Sequence, residues 1–144
     1  MALTWKLDTD APAEDVAVVV NGVFSHGRSQ ATHGNAKAIS CLVRDGVRVV
    51  AGGSERTEYN RLFVNHLWVA QELRGQGVGS RILQELEAEA GRRGCHDAII
   101  ETLEESVAKL YARLGYKQVA FVAGYVGHFN RHIMLKPHLS LLPQ

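Results

Sequence analysis

Cysteine is scarce in this chain: 144 residues contain only Cys41 and Cys95. Two distant cysteines without paired spacing exclude a disulfide scaffold, a metal knuckle and a redox pair, and read as buried, reduced thiols. No basic run is present either. Sixteen Lys and Arg against fifteen Asp and Glu give a formal net charge of +1, and the cations are dispersed, which argues against nucleic acid as a partner. No apolar run approaches the roughly 18 residues of a membrane span. The first residues, Met1 to Lys6, lack a basic segment followed by an apolar stretch, so no secretory signal is visible and the chain reads as cytoplasmic. Repeats and low-complexity tracts are absent too. What remains is an ordinary mixture, 46% hydrophobic and 22% charged, which suits one soluble globular domain over residues 1–144. At this size a domain buries roughly 68 to 70% of the surface of its unfolded chain, enough to stand without disulfide or metal staples.

Hydrophobic spacing divides the chain into elements. Val16, Val19, Val20 and Val23 predict a helix over Ala13 to Phe24, with Asp8 or Asp10 and Pro12 as start signals. Ser25 to Asn35 reads as a loop or a short irregular helix. Ala36 to Val43 and Val47 to Gly52 predict antiparallel strands around an Asp45-Gly46 turn. Ser54 to Asn60 reads as another turn, and Leu62 to Val69 as a third strand. The period then changes: Val78, Ile82, Leu83, Leu86 and Ala90 share one helical face, and that helix ends between Gly91 and Gly94. Asp97 to Leu103 predicts a buried strand, joined to the third by a parallel crossover. Ser106 to Leu114 predicts a short helix capped by Gly115. Lys117 to Val122 and Arg131 to Leu135 read as two last strands joined by a Gly-rich loop, and Pro137 to Gln144 as a loose tail. The fold class is therefore α/β (α+β): a mixed sheet with helices on its faces.

Leu73-Arg74-Gly75-Gln76-Gly77-Val78-Gly79-Ser80 joins a strand to the strongest helix. Glycines are poor helix formers, so three of them at a helix start need a reason. They let a ligand approach the backbone where the first N–H groups have no partner in the helix, and the dipole adds positive potential there. A phosphate or pyrophosphate fits such a site. The stretch has neither the lysine nor the spacing of a P-loop. A dinucleotide fingerprint needs a third glycine where Ser80 stands, although Glu101 lies near the place of a ribose-binding acid.

The segment resembles the GCN5-related N-acetyltransferase (GNAT) superfamily, whose signature Arg/Gln-x-x-Gly-x-Gly/Ala is met by Arg74, Gly77 and Gly79. The preceding Leu67-Trp68-Val69 and the later Leu110-Tyr111-Ala112-Arg113-Leu114-Gly115-Tyr116 match in order and spacing, so that the resemblance covers residues 62–122. It implies a mostly antiparallel sheet of six to seven strands with helices on both faces, bulged and splayed between the Leu62 to Val69 and Asp97 to Leu103 strands. It also implies that acetyl-coenzyme A lies with its pantetheine arm along the backbone of Leu67, Trp68 and Val69. Its pyrophosphate would rest on Arg74, Gly75, Gln76, Gly77, Val78, Gly79 and Ser80. The implied reaction transfers the acetyl group directly to a primary amine of a small molecule or peptide, without an acyl-enzyme, and a backbone N–H holds the developing negative oxygen. Tyr111 matches the family's proton donor to the departing sulfur.

Glu101, His66 and Glu104 are candidates for the base, with Glu101 on the strand bordering the slot. Glu104 stands where many members carry a cofactor-contacting asparagine and is expected to turn toward solvent. His128 and His132 are four apart in a predicted loop and strand, where that spacing does not bring side chains together, so no metal is expected. His26, Arg28 and His33 are candidates for the acceptor rim, with a solvated loop as the alternative. Relatives are often dimers, so a homodimer is among the arrangements implied. Two other readings stay open: a non-catalytic acyl-coenzyme A binding or sensor module, and a small nucleotide-binding oxidoreductase domain.

Overall fold

The Asp45-Gly46 turn, with Gly46 at φ +58°, reverses a hairpin between β1 (Lys37–Asp45) and β2 (Arg48–Glu58). A computed structural model describes residues 1–31 and 34–141. They fall into two units, 1–34 and 35–144. The second unit contains β3 (Arg61–Val64), β4 (Leu67–Val69), α2 (Val78–Arg92), β5 (Asp97–Thr102), α3 (Glu105–Arg113), β6 (Lys117–Val126) and β7 (Phe129–Lys136). The strands form one seven-stranded sheet in the order β1-β2-β3-β5-β7-β6, while β4 pairs with β2 alone. Only β3 and β5 run parallel, as a strand-helix-strand crossover through α2 requires.

Among its described residues the first unit holds the helix α1 (Ala13–Gln30), which begins after Pro12 and carries Glu14 and Asp15 in its first turn and Arg28 in its last, the order its dipole favours. It runs six residues past Phe24, through what the sequence reads as a loop. Gly22 and Gly27 cost it roughly 1 kcal/mol each relative to alanine, which weakens a helix without ending it. His33 lies outside the described residues.

The core of the second unit lies between the sheet and the apolar faces of α2 and α3. Leu62, Ile82, Leu83, Leu86 and Leu139 are almost wholly buried, each contributing about 1.5–3 kcal/mol of transfer free energy. Glu87 is buried among them, 2% exposed. Its carboxylate accepts from the Tyr116 hydroxyl and the Lys136 ammonium, both at 2.8 Å, so α2 is tied to the end of α3 and to β7. A charge at that depth is tolerated only because it is paired and hydrogen-bonded.

Several boundaries depart from expectation. β2 continues to Glu58, and the turn is the pair Tyr59 and Asn60, both with positive φ; polar residues 54–58 hid a strand whose inward positions are partly polar. β6 and β7 meet at a tight turn after Val126, so much of the Gly-rich stretch expected as a loop belongs to the two strands; Val126 pairs with Phe129, and the register shifts between Val122 and Val126. The expected loose tail contains Leu139, 0% exposed, on a short 3-10 turn. Leu139 anchors that segment, which composition alone cannot show.

Candidate active site

The expected third strand is broken, and the break makes the site. β2 pairs with β3 through Arg56 and Phe63 and with β4 through Gly53 and Leu67. Two residues of β2, Ser54 and Glu55, therefore face three of the other strand, Val64, Asn65 and His66. The extra residue is a β-bulge, which bends the strand. Before the bulge β3 is bonded on both sides, to β2 and β5, and Arg61 clamps Asp97 of β5 through two hydrogen bonds of 2.6 and 2.9 Å. After it β4 keeps β2 and leaves β5. The sheet divides at Asn65 and His66.

This division fixes which backbone groups are available. His66 C=O accepts from Ser54 N–H, and Ala70 N–H donates to Val50 C=O, so positions 66, 68 and 70 point their polar groups at β2. By strand alternation Leu67 and Val69 point theirs the other way, into the gap. The Val69 carbonyl is used by Arg74 Nε at 3.0 Å. The Leu67 and Val69 N–H groups face the slot.

The slot leads to the N-terminus of α2. Gly75 and Gly77 have φ of +74° and +81°, with Gly77 as N-cap. A Cβ at either would meet no atom, so the backbone conformation and not crowding calls for glycine there. Arg81 N–H makes the helix's first return bond, to Gly77 C=O, which leaves Val78, Gly79 and Ser80 N–H without helical partners. Gln76 Nε2 donates to Glu72 C=O at 3.0 Å and ties the loop down. Three free amides at the positive end of a fifteen-residue helix suit a diphosphate.

A cleft of about 770 Å³ joins these parts. Val64, Asn65, Leu67, Trp68, Val69, the loop from Arg74 to Ser80 except Gln76, and Tyr111 all line it. Tyr111 is 8% exposed, and its ring centroid lies 5.9 Å from that of Tyr116. Burial, and then the charges of Glu104 and Glu55, push its phenol above the usual value, so it keeps its proton at neutral pH. Glu104 is exposed, in keeping with the expectation that it turns toward solvent, and it also borders the cleft. It precedes α3, where its own N–H donates to Thr102 Oγ1 at 3.1 Å.

A second cavity, about 410 Å³, shares Val64, Asn65, Glu101 and Thr102 with the first and adds Leu103, Tyr125 and Arg131. Cross-strand pairing sets its side of the sheet. Ile100 pairs with Met134, and both are buried under the helices; Glu101 pairs with Ile133, so Glu101 and Arg131 point to the opposite face. Glu101 forms an ion pair with Arg131, whose guanidinium also packs 4.6 Å from the Tyr125 ring centroid and donates to the Tyr125 hydroxyl. The division of the sheet is thus open on both faces.

Of the expected site residues, the structure brings together Leu67, Trp68, Val69, Arg74, Gly75, Gly77, Val78, Gly79, Ser80, Glu101, Glu104 and Tyr111. Gln76 braces the loop instead of lining the cleft. The His66 ring lies outside both cavities, its Nδ1 3.1 Å from Ser54 O, so only its backbone belongs to the site. His132 Nδ1 lies 2.7 Å from Gln118 Oε1, and among the described residues no group of three or more His, Cys, Asp or Glu could hold a metal. His26 and Arg28 lie on α1 in the first unit. Sequence reasoning missed Asn65, Thr102, Tyr125, Arg131 and Glu55, which carries no motif; its only signal is an acid at an inward position of β2.

A sheet split beside a glycine-lined helix terminus suits an elongated anionic cofactor. The model of the acetyltransferase (GNAT) domain matches residues 37–118, and the chain belongs to that family. It is 25% identical over 118 residues to the acetyltransferase Atu2258 of Agrobacterium fabrum, covering 81% of this chain and 86% of that protein. It is 33% identical over 89 residues to the blasticidin-S acetyltransferase of Streptomyces morookaense, covering 60% of this chain and 65% of the relative. A crystal structure of an acetyltransferase from Bacillus cereus superposes with a TM-score of 0.83 at 20% identity, over 92% of this chain and 97% of that one. The protein is an acetyltransferase that uses acetyl-coenzyme A. No helix among the described residues is long and apolar enough to cross a membrane.

Proposed function

We propose that the protein transfers the acetyl group directly to a primary amine that enters through the smaller cavity while acetyl-coenzyme A occupies the larger cleft. The observation that carries this reading is the division at Asn65 and His66, where two cavities on opposite faces share one wall. Acetyl-coenzyme A supplies an activated acetyl thioester. The free amides of Val78, Gly79 and Ser80 hold its diphosphate, and the Leu67 and Val69 edge aligns its arm as an added strand.

Leu67 N–H is aimed at the slot and takes the negative charge that develops on the carbonyl oxygen, an effect typically worth a factor of about 10² to 10³. The amine nitrogen bonds to the carbonyl carbon and the carbon–sulfur bond breaks. Tyr111 gives its proton to the sulfur, and Glu101, at the shared wall, accepts the proton lost by the amine, directly or through water. Holding both reactants in line supplies much of the remaining rate. Pairing with Arg131 leaves the acceptor cavity with little net charge, which favours the neutral, nucleophilic form of the amine over an ammonium. A relative named for acetylating blasticidin S supports a small-molecule acceptor.

The test is thiol release from acetyl-coenzyme A across a panel of primary amines, with the product identified by mass. One amine that turns over supports transfer; cofactor binding with no turnover on any amine would leave a non-catalytic module.

A further inference from the structure

The bulge that divides the sheet is held from below by a buried carboxylate. Glu55 shares the inward face of β2 with Gly53 and Thr57 and is 7% exposed. Its Oε1 accepts from His66 N–H at 2.9 Å, and its Oε2 accepts from Asn65 N–H and, at 3.1 Å, from His66 N–H. In a regular strand successive N–H groups point to opposite edges, so two consecutive ones cannot meet one acceptor. Here they do, and the adjacent Ser54 N–H holds His66 C=O at 3.1 Å. Together these contacts fix both peptides of the bulge and hence the direction of the next amide, Leu67 N–H.

From this we infer that Glu55 is a positioning residue for acetyl transfer: it sets the angle at which Leu67 N–H meets the thioester carbonyl. The inference rests on the reading given under Proposed function. Burial pushes the Glu55 carboxyl above the usual range, outweighing the lowering by the Asn65 and His66 amides, so ionising it in the folded protein opposes folding as pH rises past the ordinary carboxylate value. The contrast is Glu87, a buried glutamate on α2 whose partners Tyr116 and Lys136 are far in sequence from the bulge.

Glu55→Gln and Glu55→Leu, with Glu87→Gln as a control, test this. In Glu55→Gln we expect a folded protein that binds coenzyme A within about threefold of the parent, while kcat falls about 10-fold or more, a loss confined to the transition state. Amide spectra supply a second readout without an acceptor. The Leu67 signal should shift on adding acetyl-coenzyme A in the parent and lose that response in Glu55→Gln, while Gly77 and Gly79 keep theirs. Glu87→Gln should lower the melting temperature and retain the Leu67 response. The inference is overturned if folded Glu55→Gln keeps kcat within about twofold, if its coenzyme A affinity falls in step with kcat, if its Leu67 response is intact, or if neither Glu55 variant folds. A parent that acetylates no amine would sink the proposed reaction, and the Leu67 spectra would still decide the role of Glu55.

Discussion

The two cavities that meet at Asn65 are lined in different ways. The larger presents main chain: the edge of Leu67 to Val69 and the amides that open α2. The smaller presents side chains, Glu101, Tyr125 and Arg131, from three strands. A ligand met by backbone requires local conformations, and those leave glycines and a helix start in consecutive positions. A ligand met by side chains requires only that distant strands be neighbours, which leaves no consecutive trace. The first cavity is thus suited to one invariable cofactor and the second to an acceptor that can differ between similar folds.

The largest effect that separates them is expected from Tyr111→Phe. Loss of the proton donor should lower kcat by about 10²-fold with coenzyme A affinity nearly unchanged, measured by steady-state kinetics and calorimetry; full activity would remove the tyrosine from the mechanism. Next comes Gly77→Ala, which places a Cβ on a backbone at φ +81°. A left-handed residue costs about 1–2 kcal/mol, so cofactor affinity should weaken roughly 10-fold while the acceptor KM holds. Tyr125→Ala should do the reverse, raising the acceptor KM about fivefold and leaving the coenzyme A dissociation constant alone. If each variant moved both constants together, the division of labour between the faces would be wrong.

The smallest effect concerns pH. In the proposed role a phenol gives up its proton, and that of Tyr111 is raised by burial first and then by Glu104 and Glu55. The alkaline fall of kcat should therefore lie above about pH 10, the unperturbed value. Removing the acidic neighbour with Glu104→Gln should move that fall toward lower pH. A shift in the opposite direction would show that Glu104 does not act on the phenol.

Much of this was legible in the residues. The hairpin at Asp45-Gly46, the helix through Ile82 and Leu86 and the glycine turn that opens α2 each follow from local rules, because period and glycine act over neighbouring positions. The resemblance carried by Arg74, Gly77, Gly79 and Tyr111 supplied the splayed sheet. Leu139 was not legible, since its burial depends on α2, nor was Arg131, whose meaning comes from pairing across to Glu101. Glu55 was hidden for a different reason: it sits in a segment whose polarity imitates a turn, and only the bulge opposite explains an inward acid.

The most direct measurement is a crystal structure with acetyl-coenzyme A bound. The account predicts diphosphate oxygens on the Val78, Gly79 and Ser80 amides, with the thioester carbonyl at Leu67 N–H and its reactive carbon open toward Glu101 and Tyr125. A cofactor seated on the far face, or one whose carbonyl lies away from the Asn65 and His66 break, would contradict it.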